Sequence, residues 1–138
     1  MNQTNVKTEA NFQNKSQNMK TLHAPCDKHD IVVGFRKQNQ IEGQLLVGSA
    51  FKEPNQKHYR LKLMMFPGQT YYLVKNFNSL ERFTIYSKML TDNQGHQKFI
   101  SPVGYGTLDS KLQSYLELKL PLLRSTMYVS LYPTPQNK

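Results

Sequence analysis

Nine residues could do chemistry by virtue of type and spacing: Arg60, Lys62, Arg82, Tyr86, Lys88, Tyr115, Lys119, Tyr128 and Tyr132. Their cationic heads can pair with phosphates, and each pairing releases counterions. Their phenol rings can stack on bases, worth about 1–3 kcal/mol per base. Together the two residue types suit the recognition of a single-stranded nucleic acid.

The elements that must position them follow from period two. Tyr59-Arg60-Leu61-Lys62-Leu63, Phe83-Thr84-Ile85-Tyr86, Leu116-Glu117-Leu118-Lys119-Leu120 and Met127-Tyr128-Val129-Ser130-Leu131 each alternate apolar with polar or aromatic residues. Alternation marks strands with one buried face and one wet face. Leu61, Leu63, Phe83, Ile85, Leu116, Leu118, Met127, Val129 and Leu131 then point inward, and parity turns the nine candidates outward. Ordinary sheet chemistry also accounts for such a face. Tyrosine packs well across strands, and lysine protects exposed edges.

Further strands are expected at 31–35, 41–47, 71–77, 98–103 and 111–120. Pro67-Gly68 marks the turn of a hairpin pairing 58–66 with 71–77. No segment of twelve or more residues shows a helical period, and no internal repeat stands out. Seven or eight short strands at this spacing predict an all-β fold, a small antiparallel β-barrel or sandwich. A barrel of the oligonucleotide-binding type is one form of it.

The chain has 138 residues, with 18 Lys and Arg against 9 Asp and Glu, a net charge of +9. From His29 onward there are 14 basic and 7 acidic residues, so the folded part itself is cationic. Such an excess favours anionic partners. Residues 1–28 are polar and basic without periodicity, which predicts a disordered arm ahead of a single domain over 29–138. Cys26 is the only cysteine. One cysteine forms no internal disulfide and suits a reducing compartment, so a cytoplasmic location is expected. No apolar run reaches the length of a membrane span, and no membrane partner is expected.

The remaining motifs point away from catalysis. His23-x-x-Cys26-x-x-His29 has ligand types that zinc accepts, but lacks the second cluster of a structural site, so no metal is expected. Cys26 lacks the fixed third group that a nucleophilic site needs. The carboxylates form no pair, and no phosphate loop or dinucleotide fingerprint is present. Gly104-Tyr105-Gly106 reads as a close-packed turn. A protein without cofactor or enzymatic activity is expected.

From Arg82 onward the order of motifs is specific. An apolar strand is followed by Val103-Gly104-Tyr105-Gly106, then Tyr115-Leu116-Glu117-Leu118-Lys119-Leu120, then Met127-Tyr128-Val129-Ser130-Leu131. These roughly fifty residues resemble small uncharacterised β-rich proteins encoded on conjugative plasmids and integrative elements. The acidic pair usual after the penultimate strand is replaced by Pro121-Leu122-Leu123. The resemblance implies a mobile-element context and carries no active site. Two functions fit these observations. One is a nucleic-acid-binding accessory protein. The other is a protein–protein interaction module, or a structural subunit of a transfer or secretion assembly. In the second, an acidic or apolar protein would meet the tyrosines with Met64, Met65 and Phe66.

Overall fold

Leu61 and Leu63, two residues apart on one strand, both point into the same lumen, and every alternating segment does likewise. A computed structural model of the protein describes residues 26–135. The strands are β1 (Asp27–Lys37), β2 (Gln40–Lys52), β3 (Tyr59–Leu63), β4 (Tyr71–Lys75), β5 (Arg82–Thr91), β6 (Gln97–Leu108), β7 (Tyr115–Lys119) and β8 (Met127–Ser130). Each pairs antiparallel with the next, and β8 pairs with β1, so the sheet closes into an eight-stranded up-and-down barrel. Closure removes the free edges that an open sheet would expose. It also excludes the sandwich. The five-stranded Greek-key order of oligonucleotide-binding barrels is excluded as well.

An eight-stranded barrel is just wide enough for side chains to fill. Ile31, Ala50, Leu61, Leu63, Leu73, Phe83, Ile85, Leu116, Leu118, Leu120, Met127 and Val129 form that filling. The inward set expected from parity is buried there, with Leu131 packed against its margin. Most of the arm, residues 1–25, lies outside the described residues. β1 begins at Asp27, ahead of the expected domain boundary. No described helix is long and apolar enough to cross a membrane.

The expected hairpin forms, with a different turn. β3 and β4 pair from Tyr59↔Leu73 to Leu61↔Tyr71. Residues 64–70 make a wider loop of two successive turns, closed by Phe66 N–H to the Leu63 carbonyl and Gln69 N–H to the Phe66 carbonyl.

The barrel is built twice over, contrary to the expectation of no repeat. Strands β1–β4 have 11, 13, 5 and 5 residues, and β5–β8 have 10, 12, 5 and 4. Ile31 pairs with Gly48, and a register shift then leaves Val47 opposite no residue. Ile85 pairs with Gly104, and a shift does the same to Val103. A Cβ at Gly48 would collide with the Lys62 carbonyl oxygen, and one at Gly104 with that of Lys119. Only glycine lets the neighbouring strand approach so closely. The outward row Arg60–Tyr72–Tyr86 matches the row Glu117–Tyr128–Val32.

Beyond each bulge the long hairpin leaves the barrel wall. Bulges bend and twist a strand pair. The second strand of each hairpin also holds one residue in the left-handed region, Gly43 at φ 63° and Ser101 at φ 61°. The β1–β2 hairpin lies outside β7 and β8, where Ile41 and Val32 bury Leu112 and Tyr128 in a satellite core. The β5–β6 hairpin lies outside β3 and β4, where Phe99 meets His58, Tyr72 and Tyr86.

Candidate nucleic-acid interface

Strand parity is as expected, but barrel closure divides the nine candidates. Arg60 and Lys62 lie on β3, and Arg82, Tyr86 and Lys88 on β5, with β4 between them. Tyr115 and Lys119 lie on β7, Tyr128 on β8 and Tyr132 just beyond it. In a ring of eight, β7 stands opposite β3. The expected single face is therefore two faces turned away from one another.

On the β7–β8 face the central tyrosine is covered and the cations are paired. Tyr128 is only 5% exposed, so it cannot serve as a stacking platform. Its outward ring is covered because the β1–β2 hairpin folds over it, a contact that alternation cannot reveal. Burial pushes its hydroxyl pKa up, aided by the charge of Glu117. Tyr115 packs against the same cluster, and its hydroxyl accepts from Gln44 Nε2 at 2.8 Å. The cations here have internal partners. Arg36 reaches Asp109 at 2.7 Å and Glu117 at 3.6 Å, and Lys119 reaches Glu117 at 3.6 Å. Tyr132 is exposed, away from any cation of the β3–β5 side.

Charge collects on the other side. From Lys52 to Lys98 there are eight basic and three acidic residues, a net +5. The rest of the described chain has six basic and five acidic residues, a net +1. Arg60 pairs with Glu53 at 3.3 Å and lies 5.6 Å over the Phe51 ring. Lys62 and Lys88 are exposed.

The β5–β6 hairpin and the β2–β3 loop enclose a groove on this side, of about 870 Å³. Its wall includes Lys52, Lys57, Lys75, His58, Gln97 and Phe99, and among the described residues no carboxylate lines it. Phe99 makes ring contacts at 4.9 Å to His58, 5.7 Å to Tyr72 and 5.9 Å to Tyr86. Gln69 Nε2 pins the hairpin root, donating to the Thr70 and Ser87 carbonyls at 2.9 Å each. His58 is buried, and its pKa falls below the ordinary 6.5, first through burial and then through Arg60.

Sequence reasoning missed Lys52, Lys57, Lys75 and Phe99. They sit at strand ends, in a loop and on a distant hairpin, and only the folding back of that hairpin brings them together. His29, part of the apparent metal motif, is a buried strand residue instead. Its Nδ1 lies 2.8 Å from the Ser130 carbonyl, and its ring packs on Tyr59 at 5.5 Å. His23 lies outside the described residues. No known protein family, curated protein or solved structure matches the chain.

Proposed function

We propose that the protein binds single-stranded nucleic acid through its β3–β5 side, without catalysis, as an accessory factor in the cytoplasm. The observation that carries this reading is the groove, where three lysines and an aromatic ring meet with no carboxylate among the described residues. Lysines neutralise phosphates and a ring stacks on bases, and neither needs a particular sequence. Lys62 and Lys88 extend the positive surface beyond the groove.

Anisotropy of a labelled single-stranded oligonucleotide tests the reading. Affinity should fall steeply with salt, with log K losing about 0.7 per phosphate contact in its slope. Lys62→Glu and Lys88→Glu should weaken binding, whereas Lys119→Glu on the opposite wall should not. Absence of binding at low salt overturns the reading, and so does equal damage from all three variants.

A second reading has its own observation. Met64, Met65 and Phe66, consecutive in the β3–β4 loop, are 59%, 62% and 40% exposed. Neighbouring exposed apolar side chains mark contact surfaces. A protein partner seated there would bind with little dependence on salt.

A further inference from the structure

The groove is bounded, and that bears on how much of a strand it can hold. The β2–β3 loop closes one side with Pro54, Asn55 and Gln56, and the folded hairpin closes the other with Gln97 and Phe99. Beside it a smaller pocket is lined by Phe51, Glu53, Arg60 and Met89. There the Glu53 carboxylate already occupies Arg60, so the cationic path ends at a negative charge. The groove is open to solvent, and its volume of about 870 Å³ falls within the range of ligand clefts and cavities, about 300–1,000 Å³.

We infer that this groove is a seat for a short nucleotide segment, with phosphates on Lys52, Lys57 and Lys75 and one base on Phe99. The inference rests on the nucleic-acid reading and narrows it. Lys52 and Lys75 end strands on either side of β3, so their backbones stand on the order of 10 Å apart, two strand spacings. Lys57 lies on the loop beside β3. Three cations so placed suit adjacent phosphates. Phe99 is fixed by its three aromatic neighbours, so stacking on it carries little ordering cost. The Gln56 and Gln97 amides offer donors and acceptors to a base edge.

The space under the other long hairpin strengthens the point. The matching space under the β1–β2 hairpin is filled by Ile41, Leu112 and Tyr128. The architecture can therefore pack this space with apolar side chains. Under the β5–β6 hairpin it is lined by Lys52, Lys57 and Lys75 and left open.

The occupant's chemistry, nucleoside phosphates, could come from a free oligonucleotide or from a strand end. The test follows binding of the thymidine dinucleotide pTpT by NMR and calorimetry, beside linear and circular single strands of one sequence. We expect one pTpT per protein, shifting the resonances of Phe99, His58 and Gln97. Lys75→Glu and Lys57→Glu should each weaken it about tenfold. Phe99→Leu should weaken it comparably, and the two exposed lysine variants keep the test valid should that hairpin rearrange. A linear strand binding more tightly than the circle identifies a strand end as the occupant. Equal affinity identifies an internal or free segment. If both strands bind but pTpT does not, the seat is refuted and the broader reading stands. If pTpT binds and the lysine variants do not weaken it, the groove is the wrong place. If none of the three binds, both fall.

Discussion

Tyr72 and Tyr128 hold the same position in the two halves of the barrel, yet only Tyr128 is sealed from solvent. Tyr72 is flanked by Arg60 and Tyr86, and Tyr128 by Glu117 and Val32. The difference lies in what the overlying hairpin carries. Ile41 caps Tyr128, whereas Phe99 leans on Tyr72 beside an open groove.

Tyr128→Ala should therefore act on stability. Emptying a buried aromatic site costs on the order of 3–5 kcal/mol in a tight core, and the low end suits this peripheral one. Urea denaturation should show the loss, while oligonucleotide affinity of the folded variant stays unchanged. Leu112→Ala, 1% exposed in the same cluster, should cost about 2–3 kcal/mol.

Gly48→Ala and Gly104→Ala should destabilise by similar amounts, because each added methyl meets a backbone carbonyl of the neighbouring strand. Overpacking of this kind costs about 1–3 kcal/mol or more. Gly68→Ala, with open space around its Cα, is the control and should change stability by less than about 0.5 kcal/mol. Thermal unfolding of the three variants checks the contrast.

Acidification should weaken the fold through His58. Its pKa is lower in the folded protein than in the unfolded chain, so the unfolded chain takes up the proton first. The contribution is complete above about pH 6.5 and declines as pH falls toward the folded value. Arg60 and Lys52 press the pKa down, and Glu53 opposes them. Urea midpoints of wild type minus His58→Gln, followed from pH 7.5 to pH 5 or thereabouts, should converge on acidification. A difference that stays constant with pH refutes the assignment. Bound phosphate should shift the wild-type profile upward, since it stabilises the imidazolium.

The Arg36–Asp109 pair should matter little to stability. Both side chains are about one-third exposed, and surface pairs give about 0–1 kcal/mol. The carboxyl of Asp109 is held below its usual range first by the Lys111 backbone N–H and then by Arg36. Arg36→Ala should accordingly lower the unfolding midpoint only slightly, and the difference should shrink in high salt.

Local pattern was legible in the chain wherever one face is wet and one dry. Leu61 with Leu63 and Leu116 with Leu118 mark strands with one face in the core, while barrel or sandwich stays open. Alternation says which way a side chain turns from the sheet, but it does not say what lies over it. For that reason alternation places Tyr128 on the wet face. The repeat escaped notice because its shared residues are few. Val47-Gly48 and Val103-Gly104 match, as do Leu61-Lys62-Leu63 and Leu118-Lys119-Leu120, but the intervals between the two motifs differ by one residue. The groove left no mark at all, since Lys52 and Phe99 are brought together by a bend at Ser101 rather than by spacing.

The repeated halves make the connectivity of this barrel interchangeable. β4 meets β5 across a covalent loop, and β8 meets β1 through strand pairing alone, with Thr134 N–H donating to the Lys28 carbonyl at 2.7 Å. These are two equivalent seams, and the backbone crosses only one. A chain cut within 76–81 and rejoined by a linker from 135 to 26 would start at β5 and end at β4. It would keep every strand pairing, so the order of the two halves along the polypeptide is a matter of where the ribbon was opened.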